Sequence, residues 1–108
     1  MRELVQPAER MGVVATAALD TGGARASSAE VNGLVDDAIR ELREFRALRP
    51  GDPALLAEQS RLSTTMRPVV ARMRQIRSIL RTDAHSGLAD ATTQLLDSLE
   101  AIPSAARS

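Results

Sequence analysis

Apolar residues recur along the 108-residue chain at spacings of three and four, in four segments separated by clusters of glycine, proline and small polar residues. That spacing places the apolar side chains of each segment on one face of an α-helix. The pattern predicts an all-α fold, either an antiparallel helical hairpin or a three- to four-helix bundle with coiled-coil-like packing. We expect a single helical domain over residues 1–108.

The first segment carries an apolar stripe made of Leu4, Ala8, Met11, Ala15 and Leu19. Pro7 suits the first turn of a helix, so we expect the ordered helix to begin there. Residues 20–28 are small or polar and should form a flexible joint. We therefore expect residues 1–26 to be an N-terminal helix and linker, loosely attached to a helical core over residues 27–102. Residues 103–108 should form a tail.

The second segment opens with Ser27 and Glu30 at the spacing of a capping box. Its apolar stripe is widened by two further residues, and the whole set is Val31, Leu34, Val35, Ala38, Ile39, Leu42 and Phe45. Acidic residues and arginines occupy the other side. The segment is predicted to be an amphipathic helix of about six turns.

A stop signal and a start signal for helices follow within a few residues. Pro50 cannot continue a helix, and it disfavours helical geometry at the residue before it. Asp52 is a good N-cap, and Pro53 stands at the first helical position, where proline is best tolerated. A connection this short predicts that the second and third segments form an antiparallel hairpin.

The third segment has the strongest pattern, because eight seam positions alternate spacings of four and three. All but one are apolar, and they are Leu55, Gln59, Leu62, Met66, Val69, Met73, Ile76 and Leu80. Pro68 interrupts the segment and should kink the helix. We expect the last six seam residues, Leu62 to Leu80, to be the face that contacts a partner helix. In the alternative interpretation, the same residues are the core of the bundle itself.

The last segment follows a joint over residues 82–87. Its inward residues are predicted to be Leu88, Ala91, Leu95, Leu99 and Ile102, and Pro103 should end it.

The fourteen arginines, with no lysine beside them, are balanced by fourteen acids, so the formal net charge is zero. Six of the arginines fall between residues 61 and 81, where no acid occurs. Five of these are predicted to form a basic face: Arg67, Arg72, Arg74, Arg77 and Arg81. Such a face could bind nucleic acid or an acidic protein. No aromatic side chains accompany it for base stacking, which is an argument against nucleic acid.

A second interpretation treats the arginines as structural. Three of the arginines recur every seven residues in the third segment: Arg67, Arg74 and Arg81. Three aspartates recur at the same interval in and just before the last segment: Asp83, Asp90 and Asp97. An internal salt-bridge ladder would then pair Arg81 with Asp90 and Arg74 with Asp97. Exposed pairs of this kind contribute about 0–1 kcal/mol each and mainly set the register of the helices.

Few residues suggest chemistry. His85 is the only histidine, and no partner stands near it at the spacing of a metal site or a catalytic triad. The chain has no cysteine, which excludes disulfides and thiolate metal sites. The glycines at residues 22–23 lack the lysine of a phosphate-binding loop. We therefore predict no enzymatic activity, no cofactor and no metal.

The N-terminal residues have no apolar run behind a basic start, which predicts that there is no cleavable signal peptide. The longest apolar run, residues 12–19, is too short to span a bilayer. These features favour a cytoplasmic protein, or one that is exported without a cleavable signal.

Residues 50–63 resemble the needle subunits of bacterial type III secretion systems. Those subunits are helical hairpins whose corner reads Pro-x-Asn/Asp-Pro and leads into an Ala-Leu-Leu-Ala-Glu-type helix start. This chain reads Pro-Gly-Asp-Pro-Ala-Leu-Leu-Ala-Glu-Gln-Ser-Arg-Leu-Ser over the same stretch. It departs from the family in lacking aromatic residues just afterwards and in adding a further helical segment. The resemblance implies a self-assembling subunit of a hollow filament, or one of the small helical needle chaperones.

The sequence thus predicts a non-enzymatic module for helical protein–protein interaction or self-assembly, with a secretion-apparatus filament subunit or its chaperone as the form that the resemblance implies. Its partner would be another helical protein or its own copy, in a homo- or hetero-oligomer. The methionines at positions 11, 66 and 73 would make a contact face adaptable. The alternative is a nucleic-acid-binding or regulatory protein that acts through its arginine-rich helix.

Overall fold

Four α-helices form the part of the chain that the computed structural model describes, which is residues 2–20, 28–81 and 87–103. Helix α1 spans Arg2–Asp20, α2 spans Ser28–Ala47, α3 spans Pro53–Leu80 and α4 spans Leu88–Glu100. The predicted all-α class and helical bundle are confirmed. The expected cap at Ser27, the candidate His85 and most of the predicted tail lie outside the described residues.

The helices form a closed bundle in which each packs against the next and α4 packs back against α1. Within the described part of the chain, α2 and α4 lie diagonally opposite, with none of their Cα atoms within 8 Å of each other. Two hydrogen bonds show that α2 and α3 run antiparallel. Gln59 near the start of α3 donates to the carbonyl of Phe45 near the end of α2, and Arg81 after α3 donates to Asn32 near the start of α2. The hairpin prediction is therefore confirmed.

The corner between α2 and α3 uses the residues that the sequence indicates. The Asp52 carboxylate accepts a hydrogen bond from the Ala54 N–H at 2.9 Å, and Pro53 is the first residue of α3. The buried Gln59 closes the corner from inside, because its Nε2 donates to the carbonyls of Phe45 at 2.6 Å and Leu48 at 2.8 Å. Carbonyls at a helix C-terminus lack intrahelical partners. Gln59, the only polar residue of the seam, therefore caps the C-terminal end of α2.

Helix α3 runs unbroken through Pro68. The proline has no N–H to donate to the carbonyl of Thr64, and both residues are exposed on the solvent-facing side of the helix. The core-facing side of α3 keeps its packing on both sides of the proline, with Met66 and Val69 fully buried. Pro68 thus leaves the seam in register.

The core is aliphatic. Its largest fully buried side chains include Met11, Met66, Met73, Ile76 and Leu95. Flexible methionines fill the irregular spaces that aromatic rings occupy in many other cores. The single aromatic residue, Phe45, is only half-buried.

Helix α1 belongs to this core, which corrects two expectations. The helix begins at Arg2, before Pro7, because a proline at this early position removes only the hydrogen bond to the carbonyl of Glu3. The helix is also not loosely attached, since seven of its apolar residues are buried: Leu4, Val5, Ala8, Met11, Val14, Ala15 and Ala18. The predicted stripe included Leu19, which is exposed.

Helix α4 packs closely against α1 and begins at a left-handed glycine. Gly87 has a φ of 84°, a conformation that residues with a Cβ adopt at a cost. A Cβ placed on Gly12 of α1 would stand 3.2 Å from Cδ2 of Leu96. The predicted inward residues of α4, Leu88, Ala91, Leu95, Leu99 and Ile102, are all buried.

Candidate functional site

The predicted contact face on α3 is occupied by the protein's own helices. Leu62, Met66, Val69, Met73 and Ile76 are each at most 6% exposed, and Leu80 is half-buried against the core. A partner helix cannot reach side chains that already pack inside the bundle. The seam is therefore part of the bundle core, as in the alternative interpretation. The prediction that these residues form an open surface for a partner helix is wrong.

Of the five arginines predicted to form a basic face, only Arg72 lies apart, because Arg67, Arg74, Arg77 and Arg81 fall within an arc of about 80° around α3. Arg72 follows Arg67 by five residues, which on an α-helix is a rotation of about 140°. It donates instead to the side chain of Gln75 on its own helix. Arg77 is half-buried, whereas Arg67 and Arg74 are exposed.

The predicted salt-bridge ladder between α3 and α4 is wrong. Arg81 donates to the Asn32 side chain of α2 at 2.8 Å, and Arg74 lines a groove between α2 and α3. Neither arginine forms an ion pair with Asp90 or Asp97 among the described residues, and Asp83 lies outside them. The reason is the position of α4, which packs on a different side of α3 from α2, whereas the stripe of arginines faces α2.

The end of the α2–α3 hairpin leaves apolar side chains exposed. We call residues 45–58 the hairpin tip. Within it, all residues from Gly51 to Glu58 are exposed, and the first buried side chain of α3 is Gln59. Leu48 and Leu55 are each 57% exposed and Leu56 is 46% exposed. They are three of the six large apolar residues that are exposed in the described part of the chain.

The tip is uncovered because the helices differ in length. Helix α3 has 28 residues and α4 has 13, so at 1.5 Å per residue α3 is about 42 Å long and α4 only about 20 Å. Helix α4 starts beside the C-terminal end of α3, so it ends well before the tip. The first six residues of α3 consequently have apolar side chains but no buried ones.

An open cleft of about 390 Å³ lies at the tip. Its lining is mainly apolar, from Phe45, Leu48, Pro50 and Leu55, with Arg49 and Glu58 as charged members. The Arg49 guanidinium folds back and donates to the carbonyls of Arg46 and Leu48. The cleft therefore offers an apolar surface beside capped helix ends, with one charge of each sign.

Part of this site is visible in the sequence. Leu55 lies on the predicted seam, and the prolines mark the corner. Leu48 belongs to none of the apolar stripes that the sequence predicts. The exposure of both leucines depends on where α1 and α4 end, and no local pattern in the sequence encodes that.

The described residues contain no group of three or more histidine, aspartate or glutamate side chains placed to hold a metal ion. None of the described helices is both long enough and apolar enough to cross a membrane. Comparison with protein-family models, with curated proteins and with solved structures finds no match.

Proposed function

We propose that the protein is a non-enzymatic helical module that binds a second copy of itself through the hairpin tip. The observation that carries this proposal is the continuation of the core-facing stripe of α3 into the uncovered end of the helix. Leu55 stands four residues before Gln59 and seven before Leu62, so all three side chains lie on one face. Gln59 and Leu62 are 9% and 6% exposed, but Leu55 is 57% exposed.

A second copy is the occupant that best fits this surface. In the body of the bundle, α1 and α4 cover the inner face of the α2–α3 hairpin, and at the tip no described residue does so. Two tips related by a two-fold axis would each supply the layer that the other lacks. The same symmetry would let Arg49 of one copy pair with Glu58 of the other, because a two-fold contact uses each patch twice.

The size of the tip sets the strength of the contact that we expect. Three exposed leucines and an open cleft form a small surface, at the low end of specific interfaces, below about 1,200 Å² in total. We therefore expect association that depends on concentration and survives high salt, because apolar burial rather than charge would drive it.

The resemblance of residues 50–63 to needle subunits also supports this proposal, because that family consists of hairpins that self-assemble. The resembling stretch coincides with most of the hairpin tip. A role in a secretion apparatus, as filament subunit or as chaperone, is the specific form of the proposal that the resemblance favours.

Light scattering coupled to size-exclusion chromatography tests the proposal across protein concentration at low and high salt. Wild type should shift from the 11.6 kDa monomer toward twice that mass as concentration rises. Leu55→Glu should remain monomeric. Position 55 is the third residue of α3, where an acidic side chain favours the helix N-terminus, so this variant should keep its fold.

Val13→Glu on α1 is the matched control, because Val13 is 58% exposed and the substitution adds the same charge away from the tip. It should associate as wild type does. A wild-type protein that stays monomeric at every concentration refutes self-assembly. Equal loss of association in both variants would show that the tip is not the contact surface. Binding to an oligonucleotide that falls steeply with salt would favour the nucleic-acid alternative.

A further inference from the structure

A second surface of the hairpin combines positive charge with an apolar floor. The groove lies between α2 and α3 on the body of the bundle, with a volume of about 410 Å³. Arg43 and Arg46 from α2 and Arg74 from α3 line it. We call it the arginine groove. The sequence pattern gave no reason to join these three arginines, since two of them stand among acids on α2 and the third is on another helix.

The three guanidinium groups have no carboxylate partner within ion-pair distance among the described residues, although other arginines of the bundle do. Arg40, one turn before Arg43, pairs with Asp37 at 3.0 Å and with Glu41 at 3.8 Å. Arg10 of α1 pairs with Glu30 of α2 at 3.1 Å. A chain with equal numbers of acids and arginines thus leaves three exposed positive charges around one groove, where they repel one another.

The floor of the groove is apolar. Val70 and Leu42 are buried at 7% and 9% exposure, and Ile39 is half-buried. Such a floor gives a ligand apolar contact, while the arginines above it can each form forked hydrogen bonds with a carboxylate. A simple inorganic anion would use the charges and leave the floor uncovered.

We infer that the arginine groove binds an acidic amphipathic segment of a partner protein, one that places an apolar side chain on the floor and carboxylates against the three guanidinium groups. This site is separate from the hairpin tip and does not rest on self-association. Nucleic acid fits less well, because no aromatic side chain lines the groove for stacking and the floor favours an apolar side chain.

Fluorescence anisotropy with a labelled synthetic peptide tests the inference. The peptide repeats leucine and glutamate so that both lie along one face of a helix. A second peptide has glutamine in place of every glutamate, and an oligothymidine of similar length reports on nucleic acid. Wild type should bind the acidic peptide more tightly than either of the other probes, and the affinity should weaken as salt rises.

Two variants alter the groove without touching its buried floor. Arg43→Gln/Arg46→Gln/Arg74→Gln should lower the affinity for the acidic peptide by about tenfold or more, since charge pairs at interfaces commonly contribute on that scale. Ala47→Glu keeps all three arginines but adds a carboxylate at an exposed position in the groove lining, and it should weaken binding too. Circular dichroism verifies that both remain folded.

The control removes the same charge elsewhere, as Arg10→Gln/Arg40→Gln/Arg61→Gln, and it should keep most of the affinity. The inference is overturned if both triple variants lose affinity equally, because net charge alone would then explain binding. It is also overturned if the glutamine peptide binds as tightly as the acidic one, if oligothymidine binds more tightly, or if the acidic peptide does not bind at low salt.

Discussion

Replacing Gln59 with methionine removes the internal cap of α2 and changes little else. Methionine has a similar length and can occupy the same buried space, but it has no N–H to donate. The carbonyls of Phe45 and Leu48 would each lose the donor that now stands at 2.6 Å and 2.8 Å. The substitution therefore isolates the hydrogen bonds from the packing.

The expected loss of stability depends on which hydrogen-bond donors each carbonyl retains after the substitution. A typical intramolecular hydrogen bond contributes about 0.5–1.5 kcal/mol net, and leaving a buried acceptor unsatisfied costs about 1–3 kcal/mol. Neither carbonyl is left without any donor, because Phe45 retains the Leu48 N–H at 3.3 Å and Leu48 retains the Arg49 guanidinium at 3.1 Å. We therefore expect Gln59→Met to lower the free energy of unfolding by about 1–2 kcal/mol, near the lower part of those ranges.

Urea denaturation followed by circular dichroism measures this change, and thermal melting should show a decrease in Tm of about 4–8 °C. Gln94→Met is the matched control, since Gln94 is an exposed glutamine on α4, and it should stay within about 0.5 kcal/mol of wild type. If the two variants unfold at the same urea concentration, the cap contributes nothing measurable and the reasoning is refuted.

Three further predictions concern the caps and glycines, each measured by urea denaturation. Asp52→Ala removes the N-cap of α3 and should cost about 1 kcal/mol, whereas Asp52→Asn, which can still accept the hydrogen bond, should cost much less. Gly33→Ala should stabilise by about 0.5–1 kcal/mol because an added Cβ meets open space, and Gly12→Ala should gain less because its Cβ would press on Leu96; equal gains would contradict this account. Gly87→Ala should destabilise by about 1–2 kcal/mol because of its positive φ, and an unchanged midpoint would show that the turn relaxes freely.

Much of the fold could be predicted from local signals. The corner was readable because Asp52 and Pro53 act on their own neighbours, and α4 was readable because its leucines recur at helical spacing. The seam could also be predicted as the apolar face of a helix, but the sequence did not show which helices would cover that face. Periodicity shows which side of α3 is apolar but does not distinguish an internal neighbour from another molecule.

The candidate sites depend on information that a single segment does not carry. The exposure of Leu55 results from the shortness of α4, and the arginine groove results from the register between α2 and α3. The salt-bridge ladder failed for the same reason, since the heptad spacing of the arginines does not show which neighbouring helix they face, and Arg81 proved to face Asn32 of α2. Tertiary arrangement decided each of these cases.

The position of Phe45 gives the molecule a built-in probe. It carries the only phenyl ring in the chain, and that ring lines the cleft of the hairpin tip. After exchange of the N–H protons in D2O, its proton resonances can therefore be followed by one-dimensional NMR in unlabelled protein, where tyrosine and tryptophan signals are absent. A change in those resonances on dilution would report directly on the self-association that we propose for the tip. The same scarcity of rings makes the protein nearly transparent in the near ultraviolet, so its concentration is better measured by refractive index.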